Sequence, residues 1–534
     1  MARRNAIFIL IDSLRYDVVA DLESIRAIAP NLAQIAERGF ARRVVANAQS
    51  TQFVMPSLFS QSYPLDHGGY NNGIRDRPAS FVECLEKAGY QSHLVGACNQ
   101  IGITLGYDRG FDVIHSAVDY RHILSYRIDK TLRYELELVS LGEKSESEAL
   151  SVIAPELDEI LEAIENDIAV SDPQSWPRRL KRVNARVARL CAVERKLLRD
   201  FPETVLHKLR TLPPAVYWRC LGKTSFSQFD RFRWRAAESV NWRFRNLALK
   251  IGFPVFPLGH FQVLAGDLCP KICEMVTNFR QPWFMYIHFM DAHDSASLSR
   301  PWHLLGRLKY FPRWRKARRA EQTSRTFLYD SALMYVDAKI GRLMTVIKKN
   351  GQLENTIVLA TGDHGFATAH SPREKKKEFG HRTHFEDIEV GLVISHGARR
   401  NTNDGLLDSM GVSATLLDLL EVPPDRSFIG QSAFGPGRDA VISENAGRGN
   451  ADLARRDLYF TVTTQEYKLM ATLKGATLTC QDLYDLRDDP NELRNRIEDP
   501  TMHVTVDALL ATLFAERREL LASRGAMLPV SVVA

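Results

Sequence analysis

The chain has 534 residues, 45% apolar and 25% charged, with a formal net charge of +6. That is an ordinary soluble globular composition, long enough for one large core plus appendages, and its charge is too modest to point to a nucleic-acid partner. No stretch approaches the length of a membrane span. The seven cysteines are scattered without CxxC spacing, so they read as reduced thiols in a cytoplasm and not as a disulfide framework or zinc site.

Ala6–Ile11 is a continuous β-branched and aromatic run, the pattern of a strand buried on both faces. It is too short and too soon followed by charge for a secretory signal, so a cytoplasmic location is expected, with peripheral attachment to a membrane left open. Asp12 closes the run. A carboxylate at the end of a first parallel strand stands where open α/β sheets place ligands, and an N-cap for the next helix is the equal alternative. Helical patterns follow from Asp21 to Gly39, then a second strand from Ala41 to Asn47.

The stretch from Gln49 to Gly68 opens with Thr51 in a polar loop. Met55-Pro-Ser-Leu-Phe59 reads as the start of a buried helix with proline near its first turn. A hydroxyl just before a helix N-terminus sits in the positive end of the dipole, which suits attack on an anionic ester. Taken alone, Thr51 is a cap more often than a nucleophile.

Phe81–Gly89 reads as a helix and Tyr90–Gly96 as a strand, after which Asn99 falls near a strand end. From about Tyr120 to His260 the pattern turns helical, first acidic, then strongly basic. Arginines alternate with aromatics in Phe229–Arg235 and Trp242–Arg245. Such a helix can lie on an anionic membrane surface or bind an anionic polymer; the favoured reading packs the aromatics inward and leaves the arginines in solvent. Pro282–Met290 is a strand, with Asp291 and His293 just past its end. Thr326–Lys349 is an amphipathic helix, and Thr356–Ala360 is a strand that runs into Asp363-His364. The loop holding His381 and His384 precedes another strand, Glu389–Ile394. Strands alternating with helices predict a mostly parallel sheet covered on both faces. Beyond Pro436, four short strands and a last amphipathic helix, Val506–Leu521, predict a small α+β subdomain. The domains expected are therefore residues 1–119 with 261–435, a basic helical insertion over 120–260, and a C-terminal subdomain over 436–534.

Two carboxylates, an imidazole and a hydroxyl make a workable set of ligands for one divalent cation. A hydroxyl on such a cation loses its proton more readily and becomes a nucleophile. Histidines left over would steady the ester oxygens or protonate the leaving oxygen.

Several ordered motifs carry a resemblance. Asn5–Asp17, Thr51 with Pro56–Ser60 and Tyr63–Gly68, Met290–His293, Thr356–Gly365 and Leu483–Asn495 together resemble the sulfatase branch of the alkaline phosphatase superfamily. The resemblance implies an alkaline-phosphatase-like α/β fold, a mostly parallel sheet sandwiched by helices. It implies Asp12, Asp363 and His364 as metal ligands, and Thr51 as a nucleophile that also touches the metal. His293 falls at the leaving group, and His381 at the ester oxygens with His384 as its neighbour. Departures matter too. Thr51, Phe53 and Met55 stand where formylglycine-dependent sulfatases carry a Cys-x-Pro-x-Arg pattern, so conversion to formylglycine is not expected. Ser13 replaces a second aspartate, Ala97 and Asn99 replace a lysine and a histidine, and Asp363-His364 replaces an Asp-Asn pair. These changes resemble the phosphodiesterase and phosphonate-ester side of the superfamily, with Asn99 among the substrate contacts. Fewer carboxylates and more imidazole favour manganese or zinc over calcium, at one site in preference to two.

The function expected is metal-dependent hydrolysis of a phosphate or sulfate ester through Thr51, with phosphodiester or phosphonate ester ahead of sulfate ester. Transfer of a phospho group to a glycan or lipid is the first alternative. A non-catalytic scaffold that binds a partner through the insertion is the second. The substrate expected is an anionic ester, with a polymeric or membrane-surface form left open.

Overall fold

The computed structural model describes residues 3–101, 103–170, 176–225, 228–255, 263–296, 301–318, 325–366, 383–396, 405–447, 450 and 452–527. The main sheet contains, in chain order, β1 (Asn5–Ile11), β2 (Phe40–Val45), β3 (Gln91–Gly96), β4 (Val113–Ser116), β5 (Trp283–Phe289), β6 (Thr356–Thr361) and β7 (Glu389–Ile394). In space their order is β2-β7-β6-β1-β5-β3-β4. β1 sits in the middle and is buried along its whole length, as its unbroken apolar run requires. β5 and β6 flank it in parallel, with Leu10 opposite both His288 and Thr361. β3 and β4 continue the parallel array. The mostly parallel sheet expected from the sequence is the one the chain forms.

The exception is β7, antiparallel to both β6 and β2. Its direction has a consequence for the site. Its beginning, and not its end, lies on the edge where β1, β5 and β6 finish. The residues before β7 are thus delivered to the same edge as the residues after the other strands. β2, rich in half-buried positions at Arg42 and Arg43, takes the sheet margin next to β7, where charged side chains discourage pairing with another chain.

The helix Thr51–Ser60 is buried at every position. It lies between two apolar cores: Met55, Leu58 and Phe59 face the core of the main sheet, and Phe53 and Val54 the second core. Phe59 packs among Phe81, Tyr107 and Tyr286 with ring centroids 5.1 to 5.3 Å apart. This explains an apolar sequence with no polar face. It also corrects the expected start. The helix begins at Thr51, not Met55, and Pro56 lies inside it. Packing on both sides holds the helix through the proline, whose missing N–H forfeits only the bond to the Gln52 carbonyl.

The second core belongs to a four-stranded antiparallel sheet of β8 (Val441–Asn445), β9 (Leu458–Thr463), β10 (Tyr467–Lys474) and β11 (Thr477–Asp485). The buried carboxylate of Glu444 anchors it to the main body: it accepts the Leu65 N–H at 2.9 Å and the Arg517 Nε–H at 2.7 Å. Arg517 takes a non-helical conformation there. The expected last helix is therefore two, His503–Glu516 and Arg518–Ser523. Likewise the helical stretch after Asp21 breaks at Pro30 into Leu22–Ile28 and Pro30–Glu37.

Between β4 and β5 the described residues are almost wholly helical. Ile153, Leu157, Val187 and Leu209 from these helices join the core of the main sheet. Glu194, fully buried, accepts hydrogen bonds from Lys208 Nζ at 2.7 Å, Tyr217 Oη at 2.6 Å and Gly222 N at 2.6 Å. One reading of this region is overturned. In the helix Gln228–Ile251 the aromatics do not all pack inward: Phe232 is 67% exposed and Trp242 66%. Near its end Ala248 packs with Leu328, while Phe232 and Trp242 keep their rings in solvent.

Candidate active site

Asp12, the first residue past β1, is wholly buried. Burial would raise its carboxyl, but the imidazoles of His293, His288 and His364 around it hold it well below the usual carboxylate range. Its Oδ1 accepts the Ser13 hydroxyl at 3.0 Å. Ser13 adopts a left-handed backbone with φ of 66°, a conformation that costs a non-glycine residue free energy and is kept where surrounding contacts enforce it. Three contacts do so. The Ser13 N–H donates to Asp363 Oδ1 at 3.0 Å. The Tyr329 hydroxyl donates to the Ser13 carbonyl at 2.6 Å and accepts the Arg15 N–H at 3.1 Å.

Asp363 and His364 follow β6 through Gly362. A Cβ on Gly362 would lie 2.7 Å from the Leu14 carbonyl oxygen, so only glycine lets the ends of β1 and β6 come together. His364 Nδ1 is 2.7 Å from the Gly365 carbonyl oxygen. A carbonyl only accepts, so Nδ1 carries the hydrogen and Nε2 presents a lone pair. That lone pair is 3.6 Å from both Asp12 Oδ1 and Asp363 Oδ2. Burial works against a charge on His364, but Asp363 and Asp12 outweigh it and raise its pKa.

Thr51 completes the centre. Its Oγ1 lies 3.1 Å from Asp12 Oδ2 and 3.2 Å from His364 Nε2. Thr51 is the first residue of its helix, and the preceding Ser50 supplies no side-chain cap. Thr51 is therefore not the cap. Its hydroxyl is turned to the carboxylate and imidazole, with the positive end of the helix behind it.

His293, past β5, lines a cavity of about 400 Å³ with Thr51, Asn99 and Met290. It also offers a nitrogen within 4.8 Å of ligand atoms of Asp12 and His364. Asn99 lines the same cavity, and its Oδ1 accepts the Asp119 N–H at 2.7 Å. That bond fixes the amide and leaves its NH₂ as the donor. Cys98 is a neighbour, but burial and the negative Asp12 push its thiol well above the ordinary value, so it is no thiolate nucleophile. His384 has a different engagement: its Nδ1 is 2.7 Å from Glu492 Oε2, and Glu492 also takes the Phe385 N–H at 3.1 Å and the buried Lys468. His384 is thus tied to the C-terminal sheet. His381 lies outside the described residues. Asp291 accepts the Ala265 N–H at 2.9 Å, and burial raises its carboxyl to about 7. It is committed to that helix start.

Sequence reasoning missed His288. It lies within β5, 1% exposed, with Nε2 3.5 Å from Asp12 Oδ2 and Nδ1 3.2 Å from the Tyr286 hydroxyl. The signal was available: one imidazole inside an otherwise apolar strand needs a partner. Gly96 opposite makes room, since a Cβ there would stand 3.2 Å from His288 Cβ.

The donor set fits a divalent cation. Asp12, His293 and His364 converge, and the buried Asp363 Oδ2 accepts no hydrogen bond among the described residues. Mixed imidazole and carboxylate donors are of the kind a divalent cation takes.

A family model described as Sulfatase matches residues 4–151 and 239–422, more than half of the chain. The chain belongs to the sulfatase family. An N-acetylglucosamine-6-O-sulfatase from Bacteroides thetaiotaomicron is 26% identical over 187 residues, 31% of this chain and 31% of that protein. The chain thus matches about a third of the length of this curated relative. Among solved structures, the phosphonate monoester hydrolase of Agrobacterium radiobacter superimposes with a TM-score of 0.56 at 16% identity, covering 97% of this chain and 96% of the other. A 2-O GAG sulfatase gives a TM-score of 0.53 at 14% identity, covering 97% and 92%. These likenesses establish the fold, in agreement with the sulfatase family match.

Proposed function

We propose that the chain is a divalent-metal-dependent hydrolase of phosphate-type or sulfate esters with Thr51 as its nucleophile. The observation that carries this is the placement of Thr51 Oγ1 3.1 Å from Asp12 Oδ2 and 3.2 Å from His364 Nε2, residues from three separate segments. Asp12, Asp363, His364 and Thr51 would hold one cation, with His293 in reach as a further donor. When bound, the cation favours the ionised nucleophile and neutralises the ester oxygens.

The chain's own groups do the rest. Thr51 Oγ1 attacks phosphorus or sulfur while its proton passes to the carboxylate or imidazole it touches. The bond from that atom to the leaving oxygen breaks, and His293 protonates the leaving oxygen. The Asn99 amide, with His381 by its match to the family, holds the non-bridging oxygens. Water then attacks the same central atom and frees Thr51. Threonine has no second hydroxyl on its nucleophilic carbon through which the adduct could be expelled. Release must therefore occur at the central atom, which favours a phosphodiester or phosphonate ester over a sulfate ester. Thr51→Ala should cut turnover of such esters by about 10³-fold or more with the fold intact.

A substrate presented at an anionic surface is supported by one further observation. The helix Gln228–Ile251 exposes Phe232, Trp242 and Phe244 beside Arg243 and Lys250, the composition of a helix that seats on anionic lipid.

A further inference from the structure

The helix Arg178–Asp200 turns its apolar positions inward, with Leu180, Val187, Cys191 and Leu198 buried. Its outer side is a basic face. Arg178, Arg182, Arg189 and Lys196 are exposed. They stand at i, i+4, i+11 and i+18, which helical steps of 3.6 residues per turn bring within about 40° of one another. At 1.5 Å per residue they form a column about 27 Å long. Lys181 and Arg186, also exposed, flank it.

Neighbouring carboxylates leave this face uncompensated. The acidic helix Glu146–Val170 packs beside it, but its acids serve other cations. Asp158, Glu162 and Glu165 take Arg195, at 2.8, 3.3 and 3.7 Å. Glu156 and Glu159 take Arg75. Within the basic helix, Glu194 is buried against Lys208, and the other acid, Asp200, is its last residue. The cations of the column and its flanks make no ion pair or hydrogen bond among the described residues. Like charges along one face repel, and an anionic partner relieves that repulsion.

The side chains between the cations choose the partner. Ala185, Ala192 and Val193 share the exposed face. Val193 is 46% exposed, and Phe201, just past the helix, 57%. Short apolar side chains let the long cationic ones reach ahead of them to a flat anionic plane. A bilayer offers that plane with an apolar layer beneath it, which a charged polymer lacks. We propose that the outer face of the helix Arg178–Asp200 is a docking surface for an anionic lipid bilayer. It supplies the electrostatic half of attachment, and the exposed rings of the helix Gln228–Ile251 supply the apolar half. Lasting attachment takes two such signals. The assignment deepens the reading of a substrate presented at an anionic surface and rests on it, but it does not depend on Thr51.

The test sediments the full chain with vesicles of phosphatidylcholine, with and without phosphatidylserine. The parent should bind only the vesicles that contain phosphatidylserine, and raised salt should release it. The triple variant Arg182→Gln, Arg186→Gln, Arg189→Gln should lose roughly a hundredfold in partition, about fivefold for each charge. Its melting temperature, and its kcat and KM for a small soluble ester, should not change. A control that removes the same charge elsewhere, Lys348→Gln, Lys349→Gln, Arg426→Gln, should bind as the parent does. Equal losses in the two variants, or a parent that binds no vesicle, would overturn the surface. So would a parent that binds duplex DNA or dextran sulfate and ignores vesicles, which would give the helix to a polymer. If Trp242→Ala with Phe244→Ala binds as the parent while the arginine variant does not, the aromatic helix loses its role and this face keeps its own.

Discussion

The imidazole of His288 stands between the Tyr286 hydroxyl, 3.2 Å from its Nδ1, and the Asp12 carboxylate, 3.5 Å from its Nε2. It stands beside the carboxylate on which the candidate centre is built, without a hydrogen bond to it among the described residues. Outer partners of this kind are worth about 10- to 100-fold in metal affinity or activity. His288→Gln should lower kcat/KM by that amount and weaken cation retention on dialysis. Parent-like values for both would show that His288 merely fills the strand.

Tyr329 braces the same centre from the helix Phe327–Lys349. Its hydroxyl joins the Ser13 carbonyl and the Arg15 N–H, and so secures the strained turn after β1. Tyr329→Phe leaves both groups buried without that partner, at a cost of about 1–3 kcal/mol. Denaturant titration should show the loss, together with reduced turnover. A loss of stability with full turnover would separate the brace from the chemistry.

How much of this was legible in the sequence depends on how local the cause is. β1 and β6 were plain because an unbroken apolar run has few other uses, and Asp12 and Asp363-His364 stand directly after them. Thr51 was half legible. Its chemistry could be read, but its helix seemed to start at Met55, because the packing that carries a helix through Pro56 comes from Tyr107, Tyr286 and the distant second sheet. His288 was hidden because its partner, Asp12, lies 276 residues away along the chain. The exposed Trp242 was misread because aromatic content alone does not say which elements are available to cover it.

His93 sets a pH dependence unrelated to catalysis. It is buried in β3 and stacks on Phe279 with centroids 3.8 Å apart. Neither ring nitrogen has a hydrogen-bond partner among the described residues, and burial pushes its pKa down to about 4. Below about 6.5 the unfolded chain takes up a proton at this residue that the folded chain refuses until about pH 4. Stability should therefore fall as pH drops through that window and level off beneath it. His93→Leu should flatten this part of the urea-midpoint profile; an unchanged slope would assign the dependence elsewhere.

Glu194 and Lys208, on the helices between β4 and β5, are both fully buried and paired. Glu194→Ala strands the ammonium and should cost about 3–5 kcal/mol. Replacing both with methionine should recover much of it. A single variant as stable as the parent would mean that water reaches the pair.

The exposed rings of the helix Gln228–Ile251 can be tested without disturbing the core. Trp242→Ala with Phe244→Ala should reduce sedimentation with phosphatidylserine vesicles and leave the melting temperature unchanged. Equal sedimentation of parent and variant would dismiss the surface.

The most direct measurement concerns Thr51 itself. The protein, loaded with manganese or zinc, is mixed with an aryl phosphonate ester or a phosphodiester, quenched in acid and digested, and the adduct is located by mass spectrometry. The account predicts a covalent phosphoryl or phosphonyl group on Thr51, absent from a Thr51→Ala variant that retains about the same cation content. An adduct on another residue, or parent-like turnover by Thr51→Ala, would contradict it.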